Sequence, residues 1–256
     1  MTAWAIFRHA FRQVTHNLPA VARVSLVPWA LGVLLLFAGI LGAGMMSASG
    51  TGFRMGAGGV FLVIVGYIFF AALFTSIAVN WHRFVLLNEP VTWWPRFHGG
   101  RILRYFGRSL LIGIGLGLVF GIALGIAIAL SHDGTSGGLV TATVMMIVAS
   151  VVLGPVAWRC FASLPGAAVD GYSLWKVLDM TRGTWGTMFL LTLIYIGFSI
   201  LIWLIGMILA ALGAKVFLFL IVKILWDLAV GWFTMMLVLS ILTTIYGHYV
   251  EGRELV

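Results

Sequence analysis

Of the chain's 256 residues, 62% are hydrophobic and 9% are charged, whereas about 25% are charged in soluble domains, and the mean hydropathy is +1.13. This composition excludes an ordinary soluble domain and makes lipid the solvent. The net charge of +8 fits attraction to anionic lipid headgroups, so membrane lipid is the expected partner and nucleic acid is not.

At the start of the chain, Trp4, Phe7, Phe11, Val14 and Leu18 recur at spacings of three and four, with Arg8, Arg12 and Thr15 on the opposite side. Residues 1–25 are therefore expected to form a cytoplasmic amphipathic helix lying in the membrane plane. Pro19 separates it from the first span, which Pro28 begins. Apolar stretches long enough to cross a bilayer, about 20 residues each, follow near 26–46, 59–81, 106–130, 139–160, 188–212 and 225–247. Lipid offers no partner to backbone polar groups, so continuous runs of this length mean helices. The predicted fold is all-α, a single polytopic membrane domain of six transmembrane helices with short interfacial helices. The first run exceeds the roughly 7–15 residues of a signal-peptide core, so it reads as a retained anchor in spite of the small residues in "GAGMMSASG".

Arg and Lys set the orientation. Arg8, Arg12 and Arg23 precede the first span; Arg83, Arg96, Arg101, Arg104 and Arg108 cluster around the second and third; Arg159, Lys176 and Arg182 lie between the fourth and fifth. Arg54, Asp133 and Lys215 fall on the opposite side. The expected location is a bacterial inner membrane with both termini in the cytoplasm.

Within "WWPRFHGGRILRYFGR", Arg101, Arg104 and Arg108 share a helical stripe amid Trp93, Trp94, Phe97 and Tyr105. They are the candidate contacts for lipid phosphate, or the ordinary positive-inside girdle. The third span, "LIGIGLGLVFGIALGIAIAL", carries Gly113, Gly117, Gly121 and Gly125 at successive i+4 positions. Such a glycine zipper lets another helix approach closely, either within the chain or across a homodimer. Gly154 and Pro155 are expected to kink the fourth span. Lys223 and Asp227, one helical turn apart beside the sixth span, are the candidate intramembrane polar pair.

Catalytic and metal signatures are missing from the sequence: it has no HExxH, no GxSxG and no P-loop. Its one cysteine, Cys160, rules out an internal disulfide, and His9, His16, His82, His98, His132 and His248 lack ligand spacing. No cofactor and no metal are expected. A weak repeat does run through the chain. "WHRF" at 81–84 faces "WRCF" at 158–161, "YFGRSLL" at 105–111 faces "TWGTMFL" at 184–190, and "YGHY" at 246–249 ends the sixth span similarly. The chain then reads as three helix pairs.

The longest hydrophilic interlude of the second half is "PGAAVDGYSLWKVLDMTRGTW", residues 165–185. Ser173 can cap a short amphipathic helix there, with Trp175, Val177 and Leu178 on one side and Lys176, Asp179 and Arg182 as charged neighbours. Through Pro165, Asp170, Gly171, Ser173, Leu178, Thr181, Gly183 and Trp185, this run resembles a segment of the multi-pass membrane domain carried by some bacterial glycerophosphodiester phosphodiesterases and by stand-alone relatives. Lys176-Val177 departs from the pattern, and the soluble barrel, about 250 residues in itself, has no room here. The resemblance implies the scaffold and its cytoplasmic corner, without catalysis. The function expected from the sequence is a non-enzymatic scaffold, assembly or accessory component of a membrane system. The alternative is a transporter or lipid-handling protein with a cavity near Lys223 and Asp227.

Overall fold

A computed structural model describes residues 2–48, 57–131 and 136–255; Arg54, Asp133 and His132 lie outside them. In these residues the chain is helical without strands: α1 (Thr2–Thr15), α2 (Leu18–Ala48), α3 (Ala57–Leu87), α4 (Gly99–Ser131), α5 (Ser136–Phe161), α6 (Leu164–Ala168), α7 (Leu174–Met180), α8 (Trp185–Gly213) and α9 (Phe217–Tyr249). Six of these are long and apolar enough to cross a membrane: α2 to α5, α8 and α9. The spanning helices pack as three successive hairpins, α2 with α3, α4 with α5, and α8 with α9. At 1.5 Å per residue α9 is about 50 Å long, well beyond the roughly 30 Å of hydrocarbon.

The beginning of the chain differs from the expected single helix over residues 1–25. α1 ends at Thr15, and α2 starts at Leu18, running through Pro28. Pro19 stands in the first turn of α2, where a missing N–H leaves no bond unmade. The buried face of α1 is also rotated from the one expected. Ala3, Ile6, Phe7, Ala10 and Val14 are inside, while Trp4 and Leu18 are exposed. Ala3 and Ala10 take inner positions beside Ile6, Phe7 and Val14 where α1 packs against α8 and α9. α5 likewise continues through Gly154 and Pro155 as one helix, and a side chain at Gly154 would overlap that of Thr192 in α8.

Burial is concentrated at one end. The core draws on Ile77, Trp81 and His82 near the end of α3, Leu237, Ile241, Ile245 and Tyr246 near the end of α9, the inner face of α1, and all of α6. At the other end, Leu118, Ile122 and Ile128 of α4, Val140, Val144 and Ile147 of α5, and Trp203 and Ile208 of α8 are exposed. In lipid such apolar surface needs no cover.

Polar side chains stitch the packed end together. Trp81 donates its indole N–H to Ser240 Oγ at 3.0 Å, and Trp232 donates to Ser25 Oγ at 2.8 Å. A buried indole requires an acceptor, and each tryptophan thereby ties α9 to another helix. His82 completes a third tie. Thr243 donates its hydroxyl to Leu239 O (2.7 Å), so it accepts from His82 Nδ1 (2.7 Å). His82 Nε2 is left to accept from the Tyr105 hydroxyl at 3.2 Å. This fixes a neutral imidazole with its proton on Nδ1, joining α3, α4 and α9.

Candidate functional site

The hydrophilic interlude folds as a corner against the packed end. After α5 the chain makes the wholly buried α6, beginning with Pro165 in its first turn. It then turns through Asp170, whose φ of 58° is in the left-handed region that Asp tolerates better than most residues. Ser173 caps α7 as expected, its hydroxyl accepting from Lys176 N at 3.4 Å. Gly183 at φ 86° supplies the left-handed residue after α7, and Trp185 starts α8.

Short helices end with unpaired carbonyls that carry partial negative charge, and arginines from three spanning helices collect them. Arg83 of α3 donates from Nη1 to Ala168 O at 2.9 Å, while its Nε donates to Glu89 Oε2 at 2.8 Å. Arg108 of α4 reaches Ser163 O at 2.5 Å and Tyr172 O at 3.1 Å. Arg159 of α5 holds the end of α7 through Leu178 O at 2.8 Å and Thr181 Oγ1 at 3.3 Å. From α9, the Tyr246 hydroxyl accepts the Tyr172 N–H at 3.3 Å. That hydroxyl lies directly over Gly171, where an added Cβ would collide with it. Gly166 is similarly confined by Tyr172 O and the Tyr246 ring.

The arginine stripe read as a phosphate site is thus engaged by the corner, with Arg104 and Asp170 still exposed. Arg101 Nε and Arg104 Nη1 grip the two Asp170 oxygens at 2.8 and 2.6 Å, and Arg108 holds carbonyls. The three share a helical face, as the spacing required, but that face docks on the corner. Two donated hydrogen bonds, from Arg101 and then Arg104, hold the Asp170 carboxyl below its ordinary pKa. Glu89 is lowered as well, first by the hydrogen bond from Arg83 and against the opposing effect of burial.

His98 stands beside this cluster. Arg101 can only donate, so its 3.5 Å approach to His98 Nδ1 puts the imidazole proton on Nε2. That atom is buried without a hydrogen-bond partner. Desolvation, followed by the repulsion of Arg83, lowers the pKa of His98.

Lys223 and Asp227 do meet as an ion pair within α9. They line a groove of about 350 Å³ between α8 and α9, with Trp203, Gly206 and Trp226. α9 starts eight residues earlier than the span expected from 225, at Phe217, because the apolar run 217–222 is itself helical. The four glycines of α4 behave otherwise than internal packing required. Among the described residues no neighbouring atom lies within 4 Å of a Cβ built at Gly113, Gly117, Gly121 or Gly125. A separate apolar cleft of about 600 Å³ opens among α4, α5 and α8, lined by Leu124, Ala127, Met146, Ile147, Ile196 and Ile200.

Sequence reasoning did not find the roles of Arg83, Glu89, Tyr246 or the His82 relay. A signal for them existed: the matched segments "WHRF", "YFGR", "WRCF" and "YGHY" contain His82, Arg83, Tyr105, Arg108, Arg159 and Tyr246, the residues that hold the corner and the core behind it. Among the described residues no group of His, Cys, Asp and Glu has the placement to hold a metal ion. Compared with known proteins, the chain matches no family model, no curated protein and no solved structure.

Proposed function

We propose that this multi-spanning chain is a non-enzymatic scaffold or assembly component of a bacterial inner membrane, with both termini in the cytoplasm. The observation that carries the reading is the bare glycine ridge of α4. A helix face shaped for close approach, about three and a half turns long, has no neighbouring atom within 4 Å of an added Cβ among the described residues. The opposite end of the same helix is anchored through Arg101, Arg104 and Arg108. α4 therefore presents its ridge from a fixed base, as a docking helix must. The resemblance to the phosphodiesterase membrane domain belongs to this proposal: Asp170, Gly171, Ser173, Thr181 and Gly183 each have a structural duty in the corner, which supports a recurrent architectural element.

The test is purification from native membranes into nanodiscs, with mass spectrometry of what accompanies the chain, repeated for Gly117→Leu. A stoichiometric protein, or a second copy, that is lost from the variant is the expected result. Wild-type chain that emerges alone would overturn the scaffold reading.

A second reading has its own observation. The groove holding Lys223 and Asp227 suits a transporter or lipid-handling protein. Under that reading Asp227→Asn abolishes transport or lipid transfer without loss of fold, and unchanged transfer would dismiss it.

A further inference from the structure

α1 crosses the bundle at the level of the cytoplasmic membrane boundary. Phe7 meets Phe198 of α8 with ring centroids 5.6 Å apart, and Phe11 meets Phe233 of α9 at 5.4 Å. Two residues further on, Gln13 lines a cavity with Thr244 and Gly247. Phe233 and Gly247 are separated by about 21 Å along α9, so α1 traverses α9 and does not run beside it. Its crossing point is near Ser240. Counting about 30 Å of hydrocarbon inward from Lys223 at 1.5 Å per residue reaches Thr243. α1 is thereby set at headgroup depth, with one long edge buried and the other turned out.

The outward edge consists of Trp4, Arg8 and Arg12 at successive i+4 positions, all exposed. Neither guanidinium bonds to another group among the described residues, in contrast to Arg101, Arg104 and Arg108. The acids among the described residues are placed elsewhere. Glu89, Asp170, Asp179, Asp227 and Glu251 each face another cation, and Glu254 lines the cavity on the opposite edge of α1 with His9 and Gln13. Arg8 and Arg12 therefore have no counter-ion among the described residues, and they lie at the depth of lipid phosphates.

We infer that the Trp4–Arg8–Arg12 edge of α1 is the chain's binding edge for anionic phospholipid headgroups. It deepens the partner assignment and rests on the bilayer placement above, though not on the scaffold role. Phosphate accepts from the arginines, while the Trp4 ring, stacked on Phe7 at 5.8 Å, occupies the interfacial layer that tryptophan favours.

The experiment uses the full chain in nanodiscs of equal phosphatidylcholine and phosphatidylglycerol, releases it into detergent, and counts retained lipids by native mass spectrometry. No partner protein is present and both leaflets are alike, so the outcome is independent of the scaffold reading and of orientation. Retained phosphatidylglycerol should exceed its bilayer share and fall about fivefold for each arginine neutralised in R8Q/R12Q, with R8K/R12K keeping most of the excess. The thermal midpoint of R8Q/R12Q should match wild type. An undiminished excess in R8Q/R12Q would overturn the assignment. So would collapse of its fold, which would show that the edge is not free, or loss of the wild-type excess to added inorganic phosphate, which would mark a soluble-anion site.

Discussion

Arg83 and Lys223 are both cations on spanning helices with an acid close by in sequence, yet the chain treats them differently. The Arg83 guanidinium is buried, with its side chain 8% exposed; it holds Glu89 and a main-chain carbonyl from a different helix. Lys223 bonds only to Asp227 on its own helix, and that carboxylate is 55% exposed. At the packed end, arginines reach other elements. At the open end an ion pair merely neutralises itself. Without a hydrophobic effect between helices in lipid, directional bonds and close packing must define the bundle, and the described side-chain hydrogen bonds between different helices cluster at one end.

Substitutions in matched pairs can break that contrast. Arg83→Met leaves partly exposed Glu89 without its partner and the end of α6 uncapped, and should destabilise by about 2–3 kcal/mol, as loss of charge-assisted hydrogen bonds does. Thermal unfolding in nanodiscs checks it, and a shift no larger than that of Lys223→Met would erase the distinction.

Next in size is a pair of glycines. Gly171→Ala drives a methyl group into the Tyr246 hydroxyl and should cost about 1–3 kcal/mol, as overpacking does. Gly117→Ala, with open space around it, should instead gain about 0.5–1 kcal/mol from reduced chain entropy. The two melting shifts should carry opposite signs.

Acid provides a graded version of the same comparison. The folded-state pKa of His98 is below its ordinary 6.5, so the unfolded chain takes up protons first and stability declines as pH falls beneath about 6.5. Asp170 is also held below its ordinary 3.8; its contribution is complete above that value and is lost as pH falls through the folded one. His98→Gln should flatten the first decline and Asp170→Asn the second, in melting curves taken across pH. The smallest effect belongs to the open end. Lys223→Met with Asp227→Asn should stay within about 1 kcal/mol of wild type, the scale of an exposed pair.

The spans were legible because lipid demands long apolar helices, a demand written in composition alone. The Ser173 cap was legible too, since capping is decided within three residues. What escaped was tertiary. Helical spacing placed Arg101, Arg104 and Arg108 on one stripe but is silent about what faces the stripe, and Asp170 lies more than sixty residues away. The glycine ridge illustrates the converse: spacing reveals a surface fit for packing, and only coordinates show whether the chain itself fills it. Lys223 and Asp227 stood beside a sixth span expected from 225, whereas α9 starts at Phe217 and holds them about two and three turns into the helix.

The crossing of α1 over α8 and α9 also imposes an order of events. At a synthesis rate of about 5–20 residues per second, α1 leaves the ribosome tens of seconds before the part of α9 against which Ile6, Ala10 and Val14 finally rest. During that interval its apolar edge has the earlier helices α2, α3 and α8 to meet, but not α9. The seat of α1 is therefore completed last, when the final hairpin brings in Met236 and Phe233.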